Sequence, residues 1–177
     1  MYRKQYGKMT VRAWLNAELE HSWPIGMMIA GGLCAVAAIL VRGFVGSPYP
    51  VMLELGIGDI VPPVWIMTLL WTASFFIIGA AAGFVLGYRA GGCDGEKYKG
   101  CMLFVLLLIG ELCWYPILFG ARLVFLSVLA SILILCLSIW VTGCFSRVSK
   151  LAGILLWMHN IWLVYMLILN FAVLFRS

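Results

Sequence analysis

The chain has 177 residues, 64% hydrophobic and only 11% charged, with twelve Lys and Arg against seven Asp and Glu for a net charge of +5. A soluble domain is nearer a quarter charged, and a mean hydropathy of +1.07 leaves too little polar surface to enclose a soluble core. The basic residues fall between apolar runs, as membrane orientation and anionic headgroups require, so nucleic acid is not an expected partner.

Long uncharged runs alternate with short charged stretches along the sequence. Each run approaches the roughly 20 residues that a helix needs to cross the hydrocarbon layer, and none has the short alternation of a transmembrane barrel. The expected fold is an all-α integral membrane protein, a bundle of five transmembrane helices, with spans at about 24–46, 62–87, 100–120, 122–145 and 150–175. These spans make a membrane domain over 23–177, preceded by a polar segment over 1–22. The first run is longer than a signal-peptide core and follows Glu18 and Glu20, so it reads as a retained anchor. Arg3, Lys4, Lys8, Arg12, Arg89, Lys97, Lys99, Arg147 and Lys150 fall on one side of such a bundle, and Arg42, Arg122 and Arg176 on the other. The positive-inside rule then places the N-terminus in the cytoplasm.

In the N-terminal segment Val11, Trp14, Leu15 and Leu19 recur at helical spacing, which predicts a short amphipathic helix on the cytoplasmic membrane surface. The first loop, 47–61, combines Pro48, Pro50, Gly56 and Gly58 with the apolar set Val51, Met52, Leu53, Leu55 and Ile57. That composition fits a lid folded over the bundle; an interfacial loop resting on headgroups is the alternative. The other connections are short, so consecutive helices are expected to be antiparallel neighbours. No internal repeat of the inverted-transporter kind is evident.

The second span opens with Pro62 and Pro63, residues suited to a first helical turn. Trp65, Thr68, Thr72, Phe75 and Gly79 share a face, either as the wall of a pocket or as a packing surface. Gly79, Gly83 and Gly87 form a small-residue stripe that lets two helices approach closely, within the bundle in preference to between protomers. In the third span Leu107, Glu111, Trp114 and Leu118 share a face. A carboxyl in hydrocarbon costs roughly 2.5–3.5 kcal/mol, so Glu111 should face the interior and find a partner on another helix, with His159 the candidate. The fifth span lines up His159, Trp162, Met166, Asn170 and Val173, a stripe suited to a ligand with flat apolar area and a few polar atoms.

Trp23, Tyr49, Tyr88 and Trp140 fall near span ends and fit an interfacial belt, whereas Trp65, Trp71, Trp114 and Trp162 fit one less easily. The six cysteines, Cys34, Cys93, Cys101, Cys113, Cys136 and Cys144, have no zinc or redox spacing and are expected as free thiols. No nucleophile elbow, P-loop or metalloprotease motif gives positive grounds for an enzyme.

Three tracts, taken in order, make the chain resemble the TspO/MBR family of tryptophan-rich sensory or translocator proteins over roughly residues 24–176. They are Pro62-Pro63-Val64-Trp65 with Trp71 beyond, the run 114–122 reading Trp-Tyr-Pro-Ile-Leu-Phe-Gly-Ala-Arg, and Arg147-Val148-Ser149-Lys150-Leu151-Ala152 followed by Trp162 and Leu169-Asn170-Phe171. The resemblance implies a five-helix receptor, often dimeric, in a bacterial membrane or the mitochondrial outer membrane. The bacterial cell membrane is the preferred location, since no transit peptide is evident.

It implies a ligand, a porphyrin or haem or else a sterol or synthetic aromatic compound, and no required cofactor or metal. The positions matching the family pocket are Trp65, Trp114, Phe119, Trp162, Tyr165, Met166 and Leu169, to which the helical faces add Thr68, Thr72, Glu111, His159 and Asn170. Departures from the pattern are Glu111 for an asparagine, Leu69 for a proline, Ala130 for an acidic residue, Trp157-Met158-His159 for a Tyr-Pro-Tyr run and Phe171 for the sterol-recognition tyrosine. A transporter of the same ligand, a porphyrin-degrading enzyme and an assembly subunit are the competing functions.

Overall fold

The computed structural model describes residues 10–20, 24–54, 61–88 and 94–176. The described residues form α1 (Val11–Glu20), α2 (Pro24–Val45), α3 (Tyr49–Glu54), α4 (Val64–Gly87), α5 (Asp94–Tyr115), α6 (Val124–Val148) and α7 (Lys150–Leu174). Helices α2, α4, α5, α6 and α7 are long and apolar enough to cross a membrane, the third span including the turn that follows α5. This is the expected five-helix membrane bundle. Trp23, Cys93 and residues 55–60 of the expected lid lie outside the described residues, as does the side chain of Trp14.

The breaks between helices follow local chemistry. Pro63 precedes α4 in an extended conformation, and Tyr88, also extended, ends it. Gly46 has φ of +97° and its N–H bonds back to Arg42 O at 2.8 Å, a left-handed helix stop that glycine adopts without strain. Ser149 separates α6 from α7 and caps α7 through a hydrogen bond from Ala152 N at 3.5 Å. Its hydroxyl also donates to the buried Glu18 carboxylate at 2.7 Å, so α1 docks through that acidic residue while Val11, Leu15 and Leu19 stay exposed.

The third span ends differently. Pro116 has no N–H to give to the turn before it and its ring crowds the carbonyl four residues back, and the helix widens into a π-turn over Pro116–Gly120. Ala121 N closes it on Pro116 O at 2.8 Å. The widening buries two successive side chains, Leu118 and Phe119. The left-handed residue of this corner is Arg122, with φ of 57°. Its guanidinium pairs with Glu54 of α3 at 2.9 Å, tying the corner to the segment above the bundle.

The expectation that consecutive spans are neighbours holds for α2 with α4, α5 with α6 and α6 with α7, but not for α4 with α5. The main neighbour of α4 besides α2 is α7, giving the order α2, α4, α7, α6, α5 around the bundle. Two opposed faces of α4 explain this. Gly79 and Gly83 press against the backbone of α2: a Cβ on Gly79 would lie 2.5 Å from Ala30 O, and one on Gly83 would strike Gly26 O. The small-residue stripe is thus spent within the bundle. Ser74, on another face, points to His159 of α7. Cys34, Cys101, Cys113, Cys136 and Cys144 are free thiols.

Candidate ligand site

Beneath α3, the inward faces of α4, α5, α6 and α7 enclose an aromatic interior. Trp71 is its centre, with ring centroids 5.6 Å from Trp114, 5.4 Å from Tyr115 and 5.0 Å from Phe75. Phe119, swung inward by the π-turn, lies 6.0 Å from Trp114 edge-on and 4.8 Å from Tyr115. Such aromatic contacts add about 0.5–1.5 kcal/mol each beyond burial. The Tyr115 hydroxyl donates to Gly46 O at 3.1 Å, anchoring the cluster to the end of α2.

Three small cavities run through this interior. One of ≈ 20 Å³ lies among Trp71, Glu111, Trp114, Ser131, Trp162 and Met166. One of ≈ 20 Å³ reaches Arg42, Pro48 and Met52, so the first turn of α3 roofs it. One of ≈ 10 Å³ extends along Phe119, Leu169 and Asn170. All three share Trp114 and Met166 as walls. Each is far below the about 300–1,000 Å³ typical of ligand pockets, so a large flat ligand would have to open and merge them by moving those side chains.

One edge of the first cavity is polar. Glu111, 4% exposed, has Oε1 2.8 Å from His159 Nε2, and His159 Nδ1 lies 2.6 Å from Ser74 Oγ. The partner expected for Glu111 from another helix is therefore His159. Three proton arrangements satisfy this chain. Ser74 donates to Nδ1 and Nε2–H donates to a carboxylate, or a protonated Glu111 donates to Nε2 and Nδ1–H donates to Ser74, or an imidazolium donates to both the carboxylate and Ser74. The Trp71 indole N–H is buried nearby with no hydrogen-bond acceptor among the described residues.

The positions expected from sequence divide into four groups. Glu111, Trp114, Phe119, Trp162, Met166 and Leu169 line the cavities. His159 and Asn170 are buried but committed. His159 is enclosed between Ser74 and Glu111, and Asn170, though beside the third cavity, accepts from Ser127 Oγ at 2.9 Å and donates to Met166 O at 2.7 Å. Tyr165 stacks on Trp162 at 5.4 Å and directs its hydroxyl to Met67 Sδ at 3.9 Å, outside the three cavities.

Trp65, Thr68 and Thr72 correct the expectation of an inner wall. Trp65 is 69% exposed, and all three border an open groove of ≈ 800 Å³ on the outside of the α2–α4 pair. Thr68 accepts a hydrogen bond from Arg42 and donates to Val64 O at 2.6 Å. The cause is the rotation of α4. With Gly79 and Gly83 turned to α2, the residues that follow the same stripe face α2 as well, while Met67, Trp71, Ser74 and Ile78 turn inward. Trp71, Ser74, Met67, Tyr115 and Ser131 are among the interior residues not selected from sequence. Trp71 lies six residues, about 240° of helix, from Trp65; an apolar-all-round helix gave no means of choosing between the two.

A family model described as the TspO/MBR family matches residues 29–176. The Tryptophan-rich protein TspO of Chlorobaculum tepidum is 31% identical over 113 residues, which cover 64% of this chain and 70% of that protein. No solved structure matches with significance. A family match that spans all five membrane helices, on a bundle whose interior is centred on tryptophan, leaves one assignment: the chain belongs to the TspO/MBR family.

Proposed function

We propose that this protein is a membrane receptor or sensor that binds a flat hydrophobic ligand of the tetrapyrrole class among Trp71, Trp114, Phe119 and Trp162. Family membership supports the sensor or receptor role. The observation that carries the ligand class is the tryptophan-walled interior with Glu111 at its edge. Stacking area supplies affinity, and one carboxyl supplies orientation. Binding requires α3 and the end of α2 to give way, since none of the three cavities is large enough alone. The charge distribution favours an N-terminus in the cytoplasm of a bacterial cell.

The test is titration of the purified protein with protoporphyrin, read by tryptophan fluorescence. Saturable one-site quenching is expected, with Trp114→Phe weakening affinity by about 1 kcal/mol and Glu111→Gln by less. Quenching that never saturates, or that is indifferent to both substitutions, removes the site. A second reading, ligand transport, draws on the Ser74–His159–Glu111 chain, which bridges three spans and stays hydrogen-bonded with or without one extra proton. Uptake into proteoliposomes that responds to a pH gradient and is abolished by His159→Gln would favour transport over reception.

A further inference from the structure

Helices α2 and α4 are pressed together at Gly79 and Gly83, and an open groove borders the pair further along, at Arg42, Trp65 and Thr68. Gly26 and Ala30 meet Gly83 and Gly79 backbone to backbone, but twelve residues beyond Ala30, about 18 Å along α2, the residues bordering the groove are Arg42, Thr68 and Trp65. Arg42 borders both the inner cavity under α3 and the outer groove beside Trp65. Its guanidinium reaches across the gap to the Thr68 hydroxyl. Arg122 and Arg147 each pair with a glutamate, whereas among the described residues no carboxylate forms an ion pair with Arg42. A cation at the edge of an apolar span, answered among the described residues by a hydroxyl, is poorly compensated, and a carboxylate on an apolar body would satisfy it with two parallel hydrogen bonds.

We propose that Arg42 is a carboxylate-recognition site joining the outer groove to the inner cavity, which selects amphiphiles bearing a carboxylate on a flat or extended apolar body. The carboxylate takes the guanidinium from Thr68, Trp65 covers the apolar part nearest the bilayer, and the remainder reaches towards Trp71 and Trp114. For a tetrapyrrole this rests on the function proposed above. A fatty acid offers the same chemistry independently of it.

The experiment compares a porphyrin dicarboxylate with its dimethyl ester on wild type, Arg42→Gln, Arg42→Lys, Thr68→Ala and Trp114→Phe. Wild type should prefer the acid by about tenfold, the scale of a charge-assisted hydrogen bond. Arg42→Gln, which keeps a donor for Thr68, should bind acid and ester alike; Arg42→Lys should keep part of the preference. Thr68→Ala, which frees the guanidinium, should bind the acid at least as tightly as wild type. Trp114→Phe should weaken acid and ester equally and leave the preference intact. Equal binding of acid and ester to wild type, or a preference that survives in Arg42→Gln, overturns the site. If neither porphyrin binds, the tetrapyrrole reading fails, and a brominated fatty acid against its methyl ester decides the matter. Saturable acid-specific quenching lost in Arg42→Gln sustains the Arg42 site, and its absence rejects it.

Discussion

The two most extensive helix contacts, α2 with α4 and α6 with α7, are built on opposite principles. The first is a steric seam: glycine and alanine let the backbones touch, and a side-chain hydrogen bond across it, Arg42 to Thr68, sits beside the outer groove. The second is clipped by polar side chains at two levels. Ser138 donates to Asn160 at 2.6 Å and Asn160 donates to Thr142 at 3.0 Å, while Ser127 and Asn170 meet further along. In hydrocarbon a seam resists approach but fixes orientation weakly, whereas clips fix register. The α6–α7 pair is therefore the rigid wall of the ligand site, and α2 with α3 is the wall free to yield.

The strongest way to break this contrast is to remove what couples the two pairs. His159→Ala leaves Glu111 buried without its partner and should cost about 3–5 kcal/mol, read as loss of thermal stability in detergent. A loss under about 1 kcal/mol would mean that Glu111 finds another partner at no great expense. Next in size is Gly83→Leu, whose side chain meets the backbone of Gly26 and cannot be absorbed by a rotamer change. A cost of about 1–3 kcal/mol is expected, together with faster maleimide labelling of the buried Cys34 on the opposed face of α2. Unchanged labelling would show that the seam does not separate. The smallest effect belongs to Asn160→Ala, about 0.6–1.7 kcal/mol, because Ser127 and Asn170 keep the register. A loss well above that range would make one clip, and not two, the determinant of the α6–α7 contact.

The five spans could be read from composition because hydrocarbon thickness fixes helix length, although the third helix starts at Asp94 and takes in Glu96, Lys97 and Lys99, charged residues that an apolar run leaves out. The face of α5 could be read because Glu111 tolerates only an interior position, which orients Leu107, Trp114 and Leu118 with it. The stripe on α7 was legible for the same reason, through His159 and Asn170. The sequence of α4 carried no such marker. Its stripe of Trp65, Thr68, Thr72 and Gly79 was visible as a pattern, but whether it faced a ligand or a neighbour depended on where α2 packed. The choice between Trp65 and Trp71 as the inner tryptophan followed from that. The neighbour order was hidden likewise: a short connection brings helix ends together without committing their lengths to contact. Phe119 was recognised through family resemblance, while its physical cause, the π-turn imposed by Pro116, emerges only from the backbone.

The position of His159 on the last span has a consequence for how the protein is made. Synthesis delivers α2 and α4 first, and their seam needs nothing that comes later, so this hairpin can close while the remaining spans are still being inserted. Glu111 arrives on the next long helix and Ser74 is already in place, yet the imidazole that joins them sits near the middle of α7. The chain must therefore hold a carboxyl and a hydroxyl in the membrane through two further insertions before they find each other. The centre of the bundle is the last part of it to assemble, and its completion signals that all five spans have arrived.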